Sequence, residues 1–270
     1  MHQYIQLSDE LAIHYISKGE GRPLIFIPGW TMTVEAFSRN VEPLSEQFQV
    51  LAYDPRSQGR SAKLQSGNDY TQHGQDLAAF IAALGLKDVV LIGWSTGVLT
   101  SYAYFEQFGC DNVSAFVSID MSPKPVKDAA SDWGIDLQQN VRRVQASATA
   151  PDHSNVARKF ASHIFLTEPA EETFVEDIVA RSLNTPPHVA ALLLADGNLC
   201  NYSIIAKEVA SQLPVLQVVS EHASHAARSW IEANTPDAEL LALGAHMMFW
   251  EYPDEFNGAV ADFLNARLSG

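Results

Sequence analysis

Cysteine is nearly absent from this chain of 270 residues, which carries only Cys110 and Cys200. Two cysteines cannot make a disulfide framework, and their spacing matches no metal site, so a reducing compartment fits them. Basic residues are also scarce. With 17 Lys and Arg against 32 Asp and Glu the net charge is −15, and the average surface field repels phosphate backbones and anionic lipid headgroups. Nucleic acid and membrane partners are therefore not expected. Long apolar runs are missing too: the strongest, Asp88 to Gly93 and Leu213 to Val219, fall far short of the ~20 residues that span a bilayer. Met1 to Ser8 has neither the basic start nor the apolar run of a secretory signal, so the expected location is the cytoplasm. No repeat, low-complexity tract, Gly-rich phosphate loop, metal-ligand cluster or dinucleotide fingerprint is present, and no cofactor is expected.

What the chain does contain is apolar material. Hydrophobic residues make up 47% and charged residues 18%, which suits a sizeable core and excludes a disordered chain. From Leu11 to Gly93 short β-rich runs alternate with longer helical ones, punctuated by Gly or Pro, the pattern of βα units around a mostly parallel sheet. Leu24 to Ile27, Phe48 to Tyr53, Val89 to Ile92 and Val113 to Ile119 read as strands, the first two as continuous apolar runs covered on both faces. Leu77, Phe80, Ile81 and Leu84 recur at helical spacing within Thr71 to Leu84. From about Met121 to Ser211 the pattern changes to helices alone, at Trp133 to Val144, Asn155 to Phe165, Glu171 to Leu183 and His188 to Leu199. Strands return at Pro214 to Val219 and Ala238 to Leu243, followed by a helix from about Asp254 to Leu268. The expectation is an α/β core formed by residues 1–122 and 212–270, interrupted by an all-helical cap at 123–211.

The main chemical signal is Gly93-Trp94-Ser95-Thr96-Gly97, a Gly-x-Ser-x-Gly placed between a strand and a helix, the context this motif requires. A serine at such a turn takes a strained conformation that lifts its hydroxyl clear of the sheet, and the helix behind it favours negative charge on an acyl oxygen. A hydroxyl is a poor nucleophile without a base. His246, after the last strand and before the last helix, suits the chain order nucleophile, acid, base. His2, His14, His153, His163 and His188 fall in terminal, strand or helical segments and read as surface residues; His222 and His225 come too early to be the base.

These features, with others in the same order, make the chain resemble the α/β-hydrolase superfamily over essentially its whole length. Pro28-Gly29-Trp30 resembles the family's loop after the third strand, where His-Gly is usual. Tyr53 to Ser61 resembles its Asp-x-Arg-x-x-Gly-x-Ser turn, and Gly244-Ala245-His246 with Glu251 to Phe256 resembles its histidine loop. The resemblance implies an oxyanion hole from the backbone N–H groups of Trp30 and Thr96. It also exposes a departure: the stretch after Pro214 to Val219 reads Ser220-Glu221-His222-Ala223, with Ala223 where an aspartate is usual. Asp120, at the end of the preceding core strand, is the favoured acid, as in some haloalkane dehalogenases and the cofactor-free 3-hydroxy-4-oxoquinoline dioxygenases; Glu221 is the alternative.

Trp30, Trp94, Met121, Trp133, Met247, Met248 and Phe249 are expected to ring Ser95 with an apolar pocket. Arg56 and Arg60 could meet an anionic substrate, but such arginines more often pair with core carboxylates. The leading expectation is a serine hydrolase of a small, largely apolar ester, lactone or related carbonyl compound, using Ser95, His246 and Asp120. Two rivals remain open: a cofactor-independent dioxygenase of a 3-hydroxy-4-oxoquinoline-type heterocycle, weakened by Thr96 and Met32 where those enzymes carry histidines, and a slow-turnover ligand sensor. Ser95 in place of aspartate disfavours a dehalogenase. Oligomeric state is left open.

Overall fold

The computed structural model describes residues 2–129 and 132–268 of the chain, and the side chains of 150 and 151 are left out of the description. Met1 and the other excluded residues, which the expected domain ranges included, lie outside it. The first strands are β1 (His2–Gln6), β2 (Ala12–Lys18) and β3 (Pro23–Ile27). A 3₁₀ turn at Val34–Phe37 and a single helical turn, α1 (Val41–Leu44), lead to β4 (Gln49–Tyr53). Then come α2 (Tyr70–Ala83), β5 (Val89–Trp94), α3 (Thr96–Phe108) and β6 (Val113–Ile119). Among the described residues five helices follow: α4 (Leu137–Ser147), α5 (Ala150–His163), α6 (Glu172–Ser182), α7 (Pro187–Gly197) and α8 (Ser203–Gln212). The chain returns through β7 (Val215–Val219), α9 (Ser224–Asn234), β8 (Glu239–Ala242), α10 (Met248–Glu251) and α11 (Pro253–Leu268).

The eight strands form one sheet in the order β1-β2-β4-β3-β5-β6-β7-β8. β1, β2 and β4 pair antiparallel, and every pair from β4 onward is parallel. The central strands are buried on both faces because their side chains alternate between two cores. Ile25, Ile27 and Leu91 join Leu77, Phe80, Leu99 and Tyr102 under α2 and α3. Leu24, Phe26, Val90 and Ile92 join Phe37, Phe256, Val260 and Leu264 under α11. Each of these side chains contributes on the order of 1.5–3 kcal/mol by leaving water.

Local signals account for the helix ends. Asp69 caps α2 by accepting the Gln72 N–H at 2.8 Å, and Asp136 caps α4 through Gln139. That second cap explains a difference from the sequence pattern, which started a helix at Trp133: the helix begins at Leu137, and Trp133 stays in the preceding loop. The strand β1 and the helices α8 and α9 were not singled out in the sequence. α8 buries Ala206 and Val209 in the same core as α3, with Tyr202 stacked on Tyr102 at 5.9 Å. Among the described residues no helix is long and apolar enough to cross a membrane.

Candidate active site

Ser95 sits between the last residue of β5 and the first of α3, at φ 53° and ψ −126°. A non-glycine residue there is strained, and the surrounding main chain must hold it. It does so at both ends: Ser95 N–H donates to Ile119 O at 2.8 Å and Val98 N–H to Ser95 O at 2.9 Å. A Cβ placed on Gly29 would lie 2.9 Å from Ser95 Cβ, so the Pro28-Gly29-Trp30 loop passes directly over the serine. Among the described residues the Trp30 and Thr96 N–H groups have no hydrogen-bond acceptor. Both residues line the cavity that Ser95 enters.

Asp120 directly follows β6, the strand next to β5, also at positive φ (49°). Its N–H is held by Val218 O at 2.8 Å, and its Oδ1 accepts the Ser220 N–H at 2.8 Å. Its Oδ2 lies 2.7 Å from His246 Nδ1. Burial alone would raise the Asp120 carboxyl; the hydrogen bond and charge of His246, with the Ser220 donor, outweigh it and hold the group below the usual carboxylate range. Glu221 is exposed, and its N–H binds Gly244 O at 3.0 Å. His246 thus meets Asp120 and not Glu221.

The helical segment grips the histidine loop. His246 N–H donates to Ile164 O at 3.3 Å and Met247 N–H to Phe165 O at 2.8 Å. Phe165 stacks on the imidazole at 5.9 Å, and the Trp94 indole donates to His246 O at 2.8 Å. Trp30 makes the matching link on the other side, its Nε1–H donating to Ala190 O of α7 at 2.8 Å. Phe165 and Ser220 carried no sequence signal, because they act through contacts between distant segments.

Ser95, Asp120 and His246 open on one cavity of about 780 Å³. Trp30, Trp94, Met121 and Trp133 lie on its wall. Met247 does not: it is fully buried with Met248 and Phe249 in the core under α11, because its main-chain bond to Phe165 and the turn of α10 direct this segment inward. Two histidines read as surface residues are also buried. His14 is enclosed with Asp54, Nδ1 to Oδ2 2.7 Å, and His153 bonds Ser182 Oγ through Nε2 at 2.9 Å. His2, His163 and His188 are exposed. Among the described residues no group of three or more His, Cys, Asp or Glu side chains could hold a metal ion.

Buried histidines make stability depend on pH with a definite sign. Burial lowers His73 on α2 to about 4, and His153 likewise to about 4. An unfolded histidine titrates near 6.5, so between about 6.5 and 4 the unfolded chain binds protons that the folded chain refuses. Stability should be full above that window and fall as pH drops through it, by about 1.4 kcal/mol per pH unit for each such histidine. Urea unfolding between pH 4.5 and 7.5 should show a slope shallower by about one histidine in His73→Gln; an unchanged slope would place the dependence elsewhere.

A family model described as alpha/beta hydrolase fold matches residues 22–197. A non-heme haloperoxidase from Rhodococcus erythropolis is 35% identical over 121 residues, a match spanning 44% of this chain and 44% of that protein. A putative non-heme chloroperoxidase from Synechocystis is 25% identical across 95% of this chain and 96% of its own. The solved structure of an esterase from Exiguobacterium antarcticum superimposes with a TM-score of 0.86 at 19% identity, over 98% of this chain and all of that one. The strained serine between β5 and α3, the mostly parallel sheet with helices on both faces, and the family match lead to one conclusion: this chain belongs to the α/β-hydrolase family.

Proposed function

We propose that the protein is a serine hydrolase acting on a small, largely apolar ester, lactone or related carbonyl compound. The observation that carries this reading is the 2.7 Å contact of Asp120 with His246 Nδ1 in the cavity that Ser95 also lines. The carboxylate accepts from Nδ1–H, which leaves the Nε2 lone pair free to take the Ser95 proton. The Ser95 Oγ attacks the carbonyl carbon, and the idle N–H groups of Trp30 and Thr96 receive the developing oxyanion. Donors of this kind supply on the order of 3–4 kcal/mol each. His246 then returns the proton to the leaving oxygen, and a water, deprotonated by the same imidazole, releases the acyl group. Residues 123–211 act as a cap: their aromatic side chains and their bonds to the Trp30 and His246 loops exclude water above the serine.

A fluorophosphonate probe should label the protein at Ser95 and leave a folded Ser95→Ala variant unlabelled. Single-site labelling that survives the substitution would assign the nucleophile elsewhere. Recording oxygen uptake beside acid release with esters, lactones and hydroxyquinolones separates this reading from the dioxygenase one, which requires oxygen consumption.

A further inference from the structure

An arginine in a cavity says much about what the cavity holds, because a guanidinium stays charged at neutral pH and has five donors to satisfy. The two arginines conspicuous in the sequence are already engaged. Arg56 binds both oxygens of Asp76 at 2.7 Å, and Arg60 reaches Glu35 at 3.3 Å. Arg143, on α4, lines the cavity, and no carboxylate among the described residues pairs with it. Its Cζ lies 4.9 Å from the centroid of the Phe160 ring. Asp136, the acid closest to it in the sequence, is occupied as the cap of α4. Burial pushes the Arg143 guanidinium down from its ordinary range, the direction expected of a charge that loses water without gaining a counter-ion.

Rings in contact connect Arg143 to the chemistry. Phe160 lies 5.7 Å from the Trp30 ring and 6.0 Å from Phe165, which in turn stacks on His246. One aromatic ring therefore separates the guanidinium from Trp30, and two separate it from His246. An aromatic face against a guanidinium leaves its in-plane N–H groups for a planar, two-oxygen acceptor. In a chain of net charge −15, an anionic group would be repelled unless a local cation met it.

We infer that Arg143 is a substrate-recognition residue, and that the preferred substrates carry a carboxylate at the far end of the acyl chain, beyond an apolar span. This rests on the hydrolase reading above. The acyl chain is the part that stays attached to Ser95 after the leaving group departs, so a contact to its end holds the substrate through both steps.

The test pairs 4-nitrophenyl hydrogen adipate and hydrogen suberate with 4-nitrophenyl hexanoate and octanoate, matched in length but neutral. The parent chain should favour the anionic ester of each pair in kcat/KM. Arg143→Gln should lower that anionic-to-neutral ratio by about ten- to hundredfold, the range of a lost hydrogen bond between charged groups, and Arg143→Lys should recover part of it. The ratio does not depend on the fraction of variant that is folded. A ratio equal in the parent and in Arg143→Gln, or a parent that prefers the neutral esters, overturns the inference. Calorimetric titration of Ser95→Ala with the same hydrogen adipate ester, with and without Arg143→Gln, separates this from the hydrolase reading. Binding that depends on Arg143 while the parent turns over neither ester counts against the hydrolase reading and leaves carboxylate recognition by Arg143 standing. Turnover of both esters with an unmoved ratio does the reverse.

Discussion

Asp120→Asn should lower kcat by ~10³–10⁴-fold, while Glu221→Gln stays within about tenfold of the parent chain. The asparagine keeps the shape of the aspartate but presents an amide. If its NH₂ faces His246 Nδ1, the imidazole is held with its proton on Nε2, the atom that must take the Ser95 proton, and the imidazolium formed during attack loses its counter-charge. Glu221 has no such leverage. It is exposed at the wall of the same cavity, His246 Nδ1 meets Asp120 instead, and the Glu221 main-chain bond to Gly244 is retained in Glu221→Gln. Steady-state hydrolysis of a 4-nitrophenyl ester measures both variants. A crippled Glu221→Gln beside a nearly normal Asp120→Asn would move the acid to the β7 side and remove the main support for the comparison with the dioxygenases.

Gly97→Ala should cost about 3 kcal/mol of stability, the upper part of the range for overpacking, and should lower kcat in the protein that remains folded. A Cβ there would lie 2.2 Å from Ile27 O and 2.9 Å from Pro28 O. These are main-chain atoms at the end of β3, where a rotamer change cannot relieve the overlap. Relief requires moving β3 away from α3, and β3 runs straight into Gly29 and Trp30, so the separation of the Trp30 and Thr96 N–H groups changes with it. Gly93 closes the same junction from below, its added Cβ meeting Gly97 O at 2.7 Å. Urea unfolding and kcat measured on one preparation test both effects. A variant within 1 kcal/mol of the parent with normal kcat would show that the close approach of strand and helix is dispensable.

The comparison between sequence and structure divides along the range of the interactions involved. The central strands and α2 were readable because continuous apolar runs, helical periodicity and Gly or Pro punctuation act over a few residues. The Gly93 to Gly97 turn was readable for the same reason, since its strand, strained serine and helix are consecutive. The helix starting at Trp133 was misplaced because an apolar residue at helical spacing outweighed the Asp136 cap, and α8 and α9 were passed over because their apolar faces are narrow. Met247 was expected beside Ser95 from its nearness to His246, yet one main-chain bond to Phe165 turns it into the core.

By itself, then, the sequence determined the α/β architecture, the helical segment between β6 and β7, and the order Ser95, Asp120, His246 along the chain. It left Asp120 and Glu221 as alternatives, since both follow core strands and chain order does not say which carboxylate faces a given imidazole. The tertiary structure decided that pairing: β6 lies between β5 and β7, Ser220 at the end of β7 donates to Asp120 Oδ1, and Oδ2 is left facing His246. The structure also placed in the cavity an arginine, Arg143, that pairs with no carboxylate among the described residues. Arg56 finds Asp76 twenty residues away, whereas Arg143 meets the Phe160 ring on the neighbouring helix. Such outcomes depend on how strands and helices far apart in the chain are brought into register, and a single sequence encodes that only through the packing of the whole core.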